Sequence, residues 1–191
     1  MEVSINTEKF FERIEKLQSQ WLNNKNSTWG GCDALCIPLG AAGDELNYSK
    51  SSSFHVYMFG YEFPDSIIVL TKNNFYFMAT AKKCSYLESA LQGKNSTFNI
   101  HILKRGKDEG QNLEHFNTLV DAIRKGGKKL GNILKTEFPG NFIPTWLEHL
   151  KRNLIEEFDI SACLGLFFAS KDEFELVSNQ KYRKLTSYRC E

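Results

Sequence analysis

The chain has 191 residues, of which 41% are hydrophobic, 25% charged and 13% aromatic, and its 24 Lys and Arg against 23 Asp and Glu leave a formal charge of +1. That balance excludes a strongly basic nucleic-acid module and an acidic tail, and 15 Phe, 7 Tyr and 3 Trp exclude a disordered chain. A chain of this length folds as an α/β domain without a disulfide or metal staple.

The charged, amphipathic start MEVSINTEKFFERIEK lacks a continuous apolar stretch, so no secretory signal is expected. Asn6 or Thr7 caps a predicted helix that carries Phe10, Ile14, Leu17 and Trp21 on one stripe. The Asn, Ser and Gly residues of Asn23–Gly31 break it. Asp33–Pro38 reads as a buried strand, closed by Pro38 and the small residues of Gly40–Gly43. Ser51–Gly60 is a short helix with a glycine stop. Ser66–Thr71 and Phe75–Ala79 are β-rich runs joined by Lys72-Asn73-Asn74, a hairpin signal. Thr80 caps a helix over Ala81–Leu91, and Phe98–Leu103 is the next strand. Gln111–Arg124 carries a helical stripe of Leu113, Phe116, Leu119, Val120 and Ile123, ended by Lys125-Gly126-Gly127. Leu130–Leu134 is a short strand, and Phe138-Pro139-Gly140 turns the chain into a helix with Phe142, Trp146, Leu150 and Leu154 as its ladder. Asp159–Ala169 reads as one or two strands and Lys171–Tyr188 as a helix. This alternation predicts a three-layer α/β domain, a mixed sheet of about six strands with helices on both faces.

Chemistry is sparse. The four histidines (His55, His101, His115, His149) have no companions at the spacing of a helical metal site. The five cysteines (Cys32, Cys36, Cys84, Cys163, Cys190) are odd in number and follow no disulfide framework, which fits a reducing compartment. Cys32 and Cys36 are expected to be buried on one face of a strand. Gly40–Gly43 lacks the Lys-Ser/Thr of a phosphate loop, and Ser51-Ser52-Ser53 reads as loop and cap. Lys104-Arg105-Gly106-Lys107 and Arg124-Lys125 with Lys128-Lys129 read as solvated basic turns. No catalytic residue, metal ligand or cofactor is expected. No window approaches eighteen consecutive apolar residues, so no membrane partner is expected either. One turn stands out: at Thr80-Ala-Lys-Lys a strand feeds a helix start. There the Thr80 hydroxyl, free amides and the Lys82 and Lys83 charges suit a carboxylate or peptide carbonyl.

Several stretches in order carry a family likeness. They are Trp29-Gly with Asp33-Ala-Leu, Phe59-Gly-Tyr-Glu-Phe-Pro-Asp-Ser-Ile-Ile-Val-Leu, Phe77-Met-Ala-Thr-Ala-Lys-Lys, Gly127-Lys-Lys-Leu-Gly, Phe138-Pro-Gly-Asn-Phe and Asp159-Ile-Ser-Ala. Across roughly residues 6–170 the series resembles the amino-terminal lobe of the large subunit of the FACT histone chaperone, the suppressor-of-Ty-sixteen family. The resemblance implies a pita-bread, aminopeptidase-like lobe similar to the amino lobes of creatinase and prolidase. Residues 1–170 would form that lobe, with 171–191 a helical extension resembling the start of the next. It also implies a nuclear, chromosomal, non-catalytic protein that reorganises nucleosomes during transcription, replication and repair.

The partners implied are core histones or their tails and replication factors. The other FACT subunit would join in the full complex without contacting this lobe, and the lobe alone would be a monomer. Because histone tails are cationic, Glu62 and Asp65 join Thr80, Lys82 and Lys83 as candidate histone- or peptide-binding residues, with Asp44-Glu45 and Glu156-Glu157 as further acidic surfaces. The alternative is the amino lobe of a metallo-aminopeptidase or creatinase-type enzyme, whose metal ligands would lie in a carboxy lobe.

Overall fold

The computed structural model describes residues 3–42, 49–91 and 97–169. Helix α1 spans Thr7–Asn23, and its cap is Asn6, whose side chain accepts from the Lys9 N–H at 3.0 Å. Then follow β1 (Ala34–Leu39), α2 (Lys50–Phe59), β2 (Ser66–Leu70), β3 (Asn74–Thr80), α3 (Ala81–Leu91), β4 (Asn99–Arg105), α4 (Glu109–Gly126), β5 (Lys129–Asn132), α5 (Phe142–Arg152), β6 (Glu156–Asp159) and α6 (Ser161–Phe168).

The six strands form one sheet in the order β4-β3-β2-β1-β5-β6. β2 runs antiparallel to both neighbours, while β3–β4, β1–β5 and β5–β6 are parallel. The period-two alternation of strand side chains therefore feeds two cores. Leu35, Ile37, Ile68, Leu70, Phe75 and Phe77 pack with the buried stripes of α1, α2, α3 and α6. Ala34, Cys36, Ile67, Val69 and Met78 pack on the other face with Phe116, Leu119 and Ile123 of α4 and Ile143, Trp146 and Leu150 of α5. The three-layer architecture expected from the alternation is the one found.

Four local readings are corrected. Ser161–Phe168 is a helix, not a strand. Asp159 Oδ1 accepts from both the Ser161 N–H (3.0 Å) and the Ser161 hydroxyl (2.6 Å), so the chain turns just after β6; a short apolar run carries no period that separates buried helix from buried strand. Leu154 leaves the α5 ladder: the helix stops at Arg152, and Leu154 takes a left-handed φ of 54° with 90% of its surface exposed. Cys32 and Cys36 do not share a face. Cys32 precedes β1 and packs in the α1-side core, whereas Cys36 faces α4 and α5. The triple serine is not the cap of α2, because Ser49 takes that role (Ser52 N–H to Ser49 Oγ, 3.0 Å) and Ser51 is buried inside the helix. The predicted helix over Lys171–Tyr188 and the pair Asp44-Glu45 lie outside the described residues.

Candidate binding site at the carboxyl edge of the sheet

β1, β3 and β4 all end at one edge of the sheet, and the antiparallel β2 begins there. The loop 60–65 that feeds β2 is thereby brought beside the strand-to-helix turn at Thr80. Its entry is set by Gly60, which ends α2 at a left-handed φ of 79° with its N–H on Val56 O (2.8 Å), a conformation that costs glycine no side-chain clash. Phe63 anchors the loop: it is fully buried and its ring meets Phe59 and Phe77 edge-on at 5.3 and 5.8 Å.

Four of the five sequence-predicted residues gather around this loop. Glu62 Oε1 accepts from the Ser52 hydroxyl at 2.6 Å. Lys83, from the first turn of α3, donates its ammonium to the Pro64 carbonyl at 2.6 Å. Asp65 takes a left-handed φ of 54°, its N–H reaches Gly40 O (2.8 Å), and its Oδ2 pairs with Arg105 at 3.3 Å. Asp65 Oδ1 is buried with no hydrogen-bond partner among the described residues. Thr80, half-buried, ends β3 opposite Arg105 in the parallel register. Lys82 is exposed on the first turn of α3. Of the further acidic candidates, Glu156 and Glu157 lie on β6 at the far side of the sheet. There Glu156 pairs with Lys129 (3.2 Å) and Glu157 accepts from Asn132 (2.6 Å).

Arg105 and His55 are the residues that sequence reading passed over. Arg105, read as part of a solvated turn, is mostly buried: its guanidinium lies 4.0 Å over the Phe142 ring while it holds Asp65, so it ties the loop, β4 and α5 together. Lys104 beside it pairs with Glu88 at 2.8 Å. The only sequence signal was an Arg closing a strand, which many solvated turns share. His55 is fully buried, with Nδ1 accepting from the Phe63 N–H at 3.3 Å. Burial, with the nearby Lys83 charge adding to it, pushes its pKa down to about 3, so the ring is neutral.

The other histidines also have structural partners. His101 stacks on Tyr76 at 4.4 Å, His115 meets Lys104 O, and His149 packs against Phe116 and Trp146. Among the described residues no group of three or more His, Cys, Asp and Glu is placed to hold a metal ion, and no helix is long and apolar enough to cross a membrane. Cys32, Cys36, Cys84 and Cys163 are buried free thiols, and burial raises their pKa values. At this edge the side chains of Glu62, Lys83 and Asp65 are held by Ser52, the Pro64 carbonyl and Arg105.

The fold is that of the amino lobe of aminopeptidase-like proteins. An Xaa-Pro dipeptidase from Bacillus anthracis matches 87% of this chain, and 38% of its own, with a TM-score of 0.51 at 14% identity, a likeness of fold alone. Within that class the likeness narrows. The FACT complex subunit SPT16 N-terminal lobe domain matches residues 5–163, and the chain belongs to that family. The FACT complex subunit SPT16 of Gibberella zeae is 35% identical over 92% of this chain and 17% of its own length, and that of Arabidopsis thaliana is 32% identical over 93% and 17%. The N-terminal domain of SPT16 from Eremothecium gossypii superposes with a TM-score of 0.80 at 30% identity, covering 91% of this chain and 40% of that one. The chain therefore spans about a sixth of the length of the curated relatives it matches.

Proposed function

We propose that this chain serves as a non-catalytic lobe that binds histones or extended peptides within a FACT-type chaperone, in the nucleus and on the chromosome, during transcription, replication and repair. The observation that carries the reading is the family match over residues 5–163. Residues 1–170 are assigned to the lobe and 171–191 to the segment that follows. Core histones or their tails are the primary partners, with replication factors as a second class. The other FACT subunit acts in the same complex without contacting this lobe, which is a monomer on its own. Contact is assigned to the 60–65 edge, where Glu62, Asp65, Thr80, Lys82 and Lys83 present acceptors and donors for a partner's main chain and charged groups.

The experiment is capture of core histones and tail peptides by the recombinant chain over a salt series. Binding that weakens with salt is expected. A folded Thr80→Ala/Lys83→Ala double variant should bind about 1–2 kcal/mol more weakly, roughly five- to thirtyfold, the size of a lost charge-assisted hydrogen bond. Unchanged affinity would move the contact to another surface, first of all the acidic β6 edge. Turnover of X-Pro peptides by this chain with manganese, cobalt or zinc would overturn the non-catalytic reading in favour of a peptidase lobe.

A further inference from the structure

We propose that Ser51 and His55 hold an ordered internal water between α2 and the 60–65 loop. Both residues are fully buried, and they stand four apart on α2, one turn above the other on the same face. The Phe63 N–H donates to His55 Nδ1 at 3.3 Å, which makes Nδ1 the acceptor. In a neutral ring the proton is then on Nε2. That N–H and the Ser51 hydroxyl are each buried with no hydrogen-bond partner among the described residues, the other included.

Residues four apart stand on neighbouring turns of one helix face, and the proposed water sits within hydrogen-bond reach of both the Ser51 hydroxyl and the His55 Nε2–H. The water accepts from Nε2–H and exchanges a hydrogen bond with Ser51 Oγ, which satisfies both groups. Phe59 and Phe63, whose ring centres lie 5.5 and 6.4 Å from that of His55, line the apolar side. A metal cation is unsuited to this site, because Nε2 presents a proton rather than a lone pair. The role is positional: the Phe63 N–H sets the tautomer of His55, and the water satisfies the Nε2–H of the ring that holds Phe63, the anchor of the loop. This inference is independent of what the loop binds.

The test is NMR on the full chain labelled with ¹⁵N, at pH 7. His55 should show the Nε2–H tautomer, with a rotating-frame cross-peak from that proton to water. Ser51→Ala should abolish the cross-peak while the tautomer persists. A Nδ1–H tautomer would overturn the proposal. So would an Nε2–H that shows no contact with water in the wild type, a dry proton lying on the Phe59 ring. A water contact that survives Ser51→Ala would remove Ser51 from the site and defeat the bridge. Should that variant fail to fold, the wild-type tautomer and cross-peak decide by themselves.

Discussion

Replacing His55 by Asn should change how stability depends on pH, and the size of the change follows from the burial of the ring. In the unfolded chain the imidazole titrates at its ordinary value of 6.5, whereas in the folded protein burial first, and the Lys83 charge second, hold it to about 3. Between those values the unfolded state binds one more proton than the folded state, so protonation favours unfolding. The stability linked to a neutral His55 is fully present above pH 6.5 and is lost as pH falls toward 3, with a limiting slope of about 1.4 kcal/mol per pH unit. From pH 7 to 4.5 the loss amounts to about 2–3 kcal/mol. Asn does not titrate there, and its side-chain oxygen keeps an acceptor near the Phe63 N–H. Its packing deficit is the same at every pH, and carboxylate titrations common to both proteins cancel in the difference. Urea unfolding, followed by the fluorescence of the buried Trp21, Trp29 and Trp146, would be measured in half-unit steps over this range. The stability gap between wild type and His55→Asn should narrow by about 2–3 kcal/mol on acidification. Parallel profiles would refute the reasoning, since they would mean that the folded protein accepts a proton on His55 as readily as the unfolded chain does.

Arg105→Ala removes both the Asp65 pair and the stack on Phe142, and it leaves a mostly buried carboxylate without its cation. A loss of about 1–2 kcal/mol in chemical denaturation is expected. Arg105→Lys should recover only part of it, because an ammonium does not reproduce the planar stack. Asp33 clips β1 to β5 by accepting from the Lys25 ammonium (2.5 Å) and from the N–H groups of Lys128 (2.9 Å) and Lys129 (3.2 Å). Burial by itself would raise its pKa, yet these partners hold it below the ordinary 3.8. Its contribution is therefore present above that pH and lost as pH falls below it, so Asp33→Asn should flatten the acid limb of the stability profile, and an unaltered limb would count against the clip. Binding by Thr80→Ala/Lys83→Ala is the corresponding test at the candidate site. A folded double variant with wild-type affinity for every histone peptide would exclude that edge.

Sequence by itself determined the element types where periodicity was long and unambiguous. The stripe Phe10, Ile14, Leu17, Trp21 is a buried helix face, and so is the predicted stripe of α4 from Phe116 through Leu119 and Val120 to Ile123, whereas its first member, Leu113, is exposed; the Lys72-Asn73-Asn74 turn does join two antiparallel strands. Alternation of helices and strands was enough for the three layers, because each apolar face needs a partner. Only the tertiary structure decided what depended on contacts distant in sequence. The strand order carries β4 to one end of the sheet and β6 to the other. That order places Thr80 opposite Arg105 and brings Asp65, forty residues earlier in the chain, against the same guanidinium. Nothing local distinguishes Arg105 from a solvated arginine, or His55 from a surface histidine on a short helix. Their burial is created by Phe142 and by Phe63, residues from other elements. The helix at Ser161–Phe168 was hidden for the same reason: an apolar run of eight has no periodic face, and its form is set by the Asp159 carboxylate, which holds Ser161, and by the α1-side core that receives it.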